Sequence, residues 1–301
     1  MSEAQRDTLN QMLRDVPLDI GGDVHEQREI LEQMLTATPL ADDVVTSPQT
    51  IGGIPAVAID VGAPRSEEVI LYFHGGAYAL GTARGGAGLA SELARKAGTR
   101  VLSVDYRRAP ENPYPAAVDD AVAAYRGLID GGWPVSRIVI AGESAGAGLA
   151  AATLVALRNA ALPPPASAVL FSPWADLTLT GASLATKAAV DPALTVDGMR
   201  RRAADYVGAA DATEGLISPI FADLSGLPPL LIQVGSHEIL LDDAIRLAAR
   251  AADDDVAVTL EVTPGVPHVF QAFAAILDEG EAALTGAGAF VRSHLEGPPG
   301  A

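Results

Sequence analysis

The 301-residue chain has no cysteine. That excludes a disulfide scaffold, a cysteine nucleophile and any thiolate-held metal, and it suits a reducing compartment. Lysine is nearly missing too: Lys96 and Lys187 are the only two, so arginine supplies 18 of the 20 basic residues. Against 38 acidic side chains this leaves a formal net charge of −18, which repels nucleic acid and anionic membranes. No run of about 18 apolar residues occurs, so no integral membrane segment is expected. The start of the chain carries Glu3, Arg6, Asp7, Arg14, Asp15 and Asp19 and no apolar run of the secretory kind, so the expected location is cytoplasmic. The 30 glycines and 21 prolines follow no period, which excludes collagen-like and low-complexity organisation.

What is present is a chain 49% hydrophobic, long enough to bury roughly 75% of its unfolded surface as one body. Short, nearly continuous apolar runs occur at Val69–Phe73, Val101–Val104, Arg137–Ala141, Ala168–Phe171, Leu230–Val234 and Val258–Val262. Each has the pattern of a strand buried on both faces. Between them the spacing predicts helices over Gly85–Ala97, Ala116–Leu128, Ala145–Asn159, Asp242–Ala252 and Val269–Leu277. Such alternation predicts an α/β fold, a parallel sheet with helices on both faces.

Two regions break the alternation. Residues 1 to about 40 read as two helices around Pro17, the second with Ile30, Leu31, Met34 and Leu35 at helical spacing. The segment Ala175–Pro228 is far longer than the dozen or so residues a crossover needs, so it holds an insertion. A helix is expected within Asp197–Val207, with Thr195 near its start. Residues 1–301 are therefore expected to form one domain whose cap comes from about 1–45 and 177–215. The other use for the N-terminal helices is a subunit contact in a homodimer.

The run Arg137–Ala141 leads into Gly142-Glu143-Ser144-Ala145-Gly146 and then a helical pattern. Strand, sharp turn and helix around G-x-S-x-G lift a serine Oγ clear of a sheet. A serine nucleophile needs a base, and the base an orienting acid, in the chain order serine, acid, histidine for sheets of this type. Of the five histidines, His237, His268 and His294 follow Ser144. His268 lies in the loop after the last strand, where a base belongs; His237 shares a loop with the candidate acids, and His294 sits in a C-terminal helix. Glu238, Asp242 and Asp243 compete as the acid. Glu238 is on the loop after Leu230–Val234, whereas the two aspartates suit the first turn of the next helix. A glycine-rich loop, His74-Gly75-Gly76-Ala77-Tyr78, follows Val69–Phe73. It can aim backbone N–H groups at a developing oxyanion, with the N–H of Ala145 as partner.

In these motifs the sequence resembles the bacterial hormone-sensitive-lipase family of α/β-hydrolase esterases. The resemblance rests on His74-Gly75-Gly76, on Asp105-Tyr106-Arg107-Arg108-Ala109-Pro110-Glu111 with Pro113 and Pro115, and on Gly142-Glu143-Ser144-Ala145-Gly146. Glu238-Ile239-Leu240-Leu241-Asp242 and Pro267-His268-Val269-Phe270 complete it, so it covers roughly residues 70–275. It implies a mostly parallel eight-stranded sheet with a helical cap. It also implies a triad of Ser144, Glu238 and His268, oxyanion donors at Gly75, Gly76 and Ala145, and a structural His74. One departure is Ala77, where many members have a third glycine; a positive φ there would be strained. Within the family the chain looks most like the branch with monoterpene ε-lactone hydrolases and acetylesterases.

The resemblance therefore implies a serine carboxylesterase acting on short- to medium-chain acyl esters through an acyl-enzyme, with no cofactor and no metal. A lactone hydrolase or N-acetyl deacetylase with the same triad is the alternative. A ligand-binding protein of the same fold is disfavoured because His268 is present. The expected partner is a small-molecule ester or lactone; the residues that bind it are not legible in the sequence.

Overall fold

Strands buried on both faces dominate the fold, which is described here by a computed structural model covering residues 3–295. In chain order they are β1 (Val44–Ile51), β2 (Ile54–Val61), β3 (Arg65–Phe73), β4 (Thr99–Val104), β5 (Ile138–Glu143), β6 (Ser167–Phe171), β7 (Leu230–Gly235) and β8 (Val258–Thr263). They form one eight-stranded sheet in the order β1-β2-β4-β3-β5-β6-β7-β8. β2 pairs antiparallel with both β1 and β4, and the remaining pairings are parallel. The helices are α1 (Glu3–Asp15), α2 (Val24–Ala37), α3 (Ala87–Ala97), α4 (Ala116–Asp130), α5 (Ala145–Asn159), α6 (Ser183–Thr186), α7 (Val196–Val207), α8 (Leu241–Asp253) and α9 (Asp278–Leu295).

Side-chain alternation along the strands feeds two cores. Leu71, Phe73, Ile140, Leu170 and Ile232 pack with Ala121 of α4, Leu149 of α5 and Leu247 of α8. Ile70, Tyr72, Val139, Val169 and Leu231 pack on the other face with Leu93 of α3 and with Leu284 and Val291 of α9. Burial on both sides is why these strands read as unbroken apolar runs. All six runs found in the sequence are strands, β3 to β8, but Val258–Val262 is not buried on both faces as expected: β8 is an edge strand with no buried residue.

In the hairpin β1–β2, the apolar run Ile54–Ile59 of β2 carries a proline, and β1 has no such run. β1 lies at the sheet edge with its Thr46-Ser47-Pro48-Gln49-Thr50 stretch largely exposed. The signal was instead in its turn. Ile51 pairs with Ile54 across Gly52-Gly53, whose φ values are +58° and +83°, the two-residue turn that twisted hairpins favour. A second difference lies after β8. The expected helix Val269–Leu277 is a short 3-10 turn, Phe270–Phe273, and α9 starts only at Asp278. Val269 has φ +51°, which a helix cannot accommodate, and its N–H donates to Ser172 Oγ rather than into a helical ladder. Apolar spacing alone does not register that side-chain hydrogen bond.

The N-terminal helices flank Pro17 as expected, and Asp23 caps α2 by accepting from the N–H groups of His25 and Glu26. Leu9 of α1 is fully buried against Val266, Phe270, Leu277 and Ala283, and Arg6 Nη1 donates to Pro264 O at 3.1 Å. Arg28 of α2 donates to the carbonyls of Ala79 and Ala109 and pairs with Glu111. Thr195 Oγ1 caps α7 at the Gly198 N–H, and Arg202 of α7 reaches back to Gly22 O at 3.2 Å. N-terminal arm and insertion thus touch. Among the described residues no helix is long and apolar enough to cross a membrane.

Leu9→Ala empties the one fully buried position of α1. The expected cost is ~2–5 kcal/mol in denaturant unfolding, with early proteolytic release of α1. Unchanged unfolding and cleavage would refute this docking.

Candidate active site

The strand-to-helix turn between β5 and α5 sets Ser144 at φ +56°, ψ −122°, a strained conformation that raises its side chain off the sheet. The two flanking glycines are required by space. A Cβ at Gly142 would lie 2.4 Å from Gly146 O, and one at Gly146 would lie 2.0 Å from Phe73 O at the end of β3. Among the described residues eight non-glycines have positive φ, and five of them, Ala77, Tyr78, Ser144, Ser172 and Val269, lie in the loops of this site. Backbone strain is therefore concentrated where the chemistry-bearing residues meet. Ala77 is one of them at +52°, so the glycine-to-alanine departure keeps the left-handed turn and carries its steric cost.

Ser144 Oγ lies 2.9 Å from His268 Nε2, and His268 Nδ1 lies 2.5 Å from Glu238 Oε2. An acidic acceptor at Nδ1 fixes the tautomer. The proton sits on Nδ1 and is donated to Glu238, which leaves the Nε2 lone pair facing the serine hydroxyl. Glu238 Oε1 accepts from Ser172 Oγ at 2.8 Å and from the Gly235 N–H at 2.7 Å. Glu238 is fully buried, whereas Ser144 and His268 each keep 9% exposure, enough for a reactant to reach them.

Burial favours neutral His268, but the charge and hydrogen bond of Glu238, with the charges of Asp191 and Glu143, outweigh it and hold its pKa above the ordinary value. Asp191, in the insertion, accepts from the N–H groups of Ala193, Leu194 and Ile239, so it ties the insertion to the residue after Glu238.

The competing acids do other work. Asp242 Oδ2 accepts from the Ser183 N–H at the start of α6. Asp243 accepts from the Ala175 and Asp176 N–H groups, and burial pushes its carboxyl up to about 8. His237 is held by its backbone N–H to Val266 O, and the His294 ring lies against Phe290 on α9.

The loop after β3 departs from the expectation at one point. The Gly75 N–H donates to Glu143 Oε1 at 2.7 Å, so in this arrangement it is not open to an oxyanion. The expected three donors reduce to two: the N–H groups of Gly76 and Ala145 have no partner among the described residues. The carboxylate of the motif's own second residue reaches across from β5 because β3 and β5 are neighbours. Gly76 has φ +106°, and a Cβ there would lie 2.2 Å from Gly81 N, so only glycine fits.

The insertion approaches the first turn of α5 through aromatic rings. Tyr206 of α7 stacks on Tyr78 with ring centroids 3.8 Å apart. Tyr78 Oη lies 2.8 Å from where a Cβ of Gly148, in the first turn of α5, would stand.

Sequence reasoning missed Ser172, Glu143 and Asp191. Ser172 directly follows β6, at the carboxyl end of a parallel strand, where ligands of such sheets gather, and that position was a usable signal. Glu143 stood inside the motif and was passed over as its variable residue. Asp191 lies in irregular chain with no local pattern to mark it.

Residues 70–272 match the family model of the alpha/beta hydrolase fold. An acetyl-hydrolase of Streptomyces hygroscopicus is 49% identical over 231 residues, 77% of each chain. An esterase of Acinetobacter venetianus is 35% identical over 268 residues, 88% of each. Among solved structures, an esterase from the bacterial hormone-sensitive lipase family superposes with a TM-score of 0.95 at 43% identity, covering 98% of this chain and 99% of that one. The esterase EstE5, soaked with p-nitrophenyl butyrate, gives 0.94 at 40% identity, covering 98% of this chain and all of that one. With a family model over most of its length and relatives this similar, the chain belongs to the bacterial hormone-sensitive-lipase family of α/β-hydrolases, as a hydrolase of carboxylic esters.

Proposed function

We propose that the protein cleaves esters of short- and medium-chain acids through a covalent acyl-enzyme, with Ser144 as nucleophile, His268 as base and Glu238 as orienting acid. The observation that carries this is the hydrogen-bonded line from Ser144 Oγ through both His268 nitrogens to a buried Glu238, at 2.9 and 2.5 Å.

His268 Nε2 takes the hydroxyl proton as Ser144 Oγ attacks the ester carbonyl. Glu238 holds the ring and stabilises the imidazolium. The oxyanion is met by the N–H groups of Gly76 and Ala145, the latter at the N-terminus of α5, where the helix dipole adds positive potential. His268 then gives its proton to the leaving alcohol. A water molecule repeats the sequence on the acyl-serine, releasing the acid and restoring Ser144.

The cap of about 1–45 and 177–215 belongs to the same reading. Three contacts support it: Arg202 to Gly22 O, Tyr206 on Tyr78, and Asp191 on the Ile239 N–H. Packed in this way, arm and insertion wall the acyl side of the site. Short acids also accord with the acetyl group and the butyrate ester named for the two relatives.

Ser144→Ala is expected to abolish hydrolysis of p-nitrophenyl butyrate with the fold intact, and Glu238→Gln to lower kcat by about 10²–10⁴-fold. Asp242→Asn, whose amide oxygen can still accept from the Ser183 N–H, should cost less. Near-normal turnover by the serine variant, or the reverse ranking of the acids, would defeat the assignment.

The raised His268 pKa sets the pH dependence. The base works only when neutral, so kcat/KM falls as pH drops through the His268 ionisation, whose midpoint lies above the ordinary ~6.5. In Glu238→Gln the lifting charge is gone, burial prevails and the midpoint moves down. A wild-type rate that is flat to about pH 5, below the unperturbed value, would rule out a histidine base.

Across nitrophenyl esters of increasing acid length, turnover should favour acids of roughly two to eight carbons, since each buried CH₂ helps by ~0.8 kcal/mol only until the walled pocket is full. Removing residues 1–35 should alter that profile. Because the deletion also strips Leu9 from the loop near His268, Leu9→Ala serves as the control for α1 docking alone. An unchanged profile after the deletion would remove the cap from the account.

A further inference from the structure

The loop after β3 carries two successive peptide groups, His74–Gly75 and Gly75–Gly76. In the His74–Gly75 peptide, the carbonyl accepts from Tyr106 Oη at 2.7 Å and the N–H donates to Glu143 Oε1 at 2.7 Å. In the Gly75–Gly76 peptide, the carbonyl lies 2.8 Å from His74 Nδ1. Only the fourth group, the Gly76 N–H, has no partner among the described residues. A trans peptide points its N–H opposite to its C=O. Pinning the other three groups therefore fixes the direction of the fourth. The His74 ring is itself held by stacking on Tyr106, with centroids 4.2 Å apart.

Glu143 is the one charged side chain among these pins. Its Oε1 takes the Gly75 N–H, its Oε2 accepts from Tyr72 Oη on β3, and its Cγ would lie 3.2 Å from a Cβ at Gly75. The parallel pairing of Phe73 with Gly142 brings the ends of β3 and β5 level, which puts Glu143 alongside the loop.

We propose that Glu143 is a positioning residue for the oxyanion loop: by holding the Gly75 N–H away from the substrate it aims the Gly76 N–H at the developing oxyanion. This rests on the serine-hydrolase reading above. Glu143 touches no reacting atom; it acts through the peptide it pins. Its charge has a second effect, because it stabilises the imidazolium of His268. The groups that face it are Tyr72 from β3, Tyr106 from the loop after β4, and His268 from the loop after β8. Burial pushes its carboxyl up to about 7, against the pull of the Tyr72 and Gly75 hydrogen bonds.

The glutamine isostere separates the two effects. In Glu143→Gln the amide oxygen still accepts from the Gly75 N–H, while the amide N–H₂ can donate to Tyr72 Oη, so the pin survives without the charge. In Glu143→Ala both are lost. With p-nitrophenyl butyrate and the full-length protein, Glu143→Ala should lower kcat by about 10–100-fold, below the cost of deleting an oxyanion donor outright, and leave KM within about threefold. Glu143→Gln should recover kcat to within about threefold of wild type at alkaline pH, with the acid limb of the profile moved downward. Tyr72→Phe, which removes one anchor of the carboxylate, should lower kcat about threefold or more with KM unchanged.

A kcat for Glu143→Ala within about twofold of wild type would overturn the proposal, as would a glutamine variant as impaired as the alanine one. Should Glu143→Ala fail to fold, Tyr72→Phe decides by the same twofold criterion for kcat. Ser144→Ala keeps the two readings apart. If it stays active, the serine mechanism itself fails. If it is inactive while the Glu143 and Tyr72 variants turn over normally, only the positioning role fails.

Discussion

The contact on which the rest depends is backbone against backbone, where the turn after β5 passes the end of β3. A single added methyl at Gly146 would meet Phe73 O at 2.0 Å. That closeness locks the Ser144 turn to the chain leading into His74, Gly75 and Gly76. Ser144 and the Gly75-Gly76 loop are thereby related through two hydrogen-bonded strands rather than through mobile side chains. The strained φ of Ser144 persists because the paired sheet on one side and the packed α5 on the other leave the turn no relaxed alternative.

Around this contact the charge distribution favours one event. His268 has Glu238 against one nitrogen and senses the charges of Asp191 and Glu143. These acids arrive from the loop after β7, the insertion and the end of β5. A protonated His268 ring is the state this surrounding stabilises, and the three charges outweigh the burial that opposes it. The acidic surplus of the whole chain, −18, says nothing of this; the placement of three carboxyl groups does.

How much of this was legible follows from what pattern can carry. Strands buried on both faces leave continuous apolar runs, so β3 to β7 could be read. β8, an edge strand with no buried residue, was marked by the alternation of Val258, Leu260 and Val262, while β1, polar and exposed at the opposite edge, could not be read. Its marker was the Gly52-Gly53 turn, a matter of backbone sign rather than hydropathy. The elbow was legible because its spacing is dictated by steric limits at Gly142 and Gly146. Ser144 and His268 stood out by motif and position, whereas choosing Glu238 over Asp242 and Asp243 took the family resemblance. Both aspartates turned out to be bound to backbone N–H groups of the insertion. Val269–Leu277 misled because one hydrogen bond from the Val269 N–H to Ser172, residues far apart in sequence, overrides the helical spacing. Gly75 misled in the same manner: a free N–H in the motif is a committed one once Glu143 lies beside it.

The docking of α1 has a consequence for the order in which the molecule is completed. Leu9 precedes the residues of its pocket, Val266, Phe270, Leu277 and Ala283, by about 260 positions along the chain. At ~5–20 residues per second, roughly 15–50 s of synthesis separate the two. During that time α1 has no place to bury its apolar face, and the loop carrying His268 does not yet exist. Once that loop is made, α1 can pack against its base, with Arg6 on the carbonyl of Pro264. Burial of Leu9 and support of the His268 loop therefore both depend on one long-range contact.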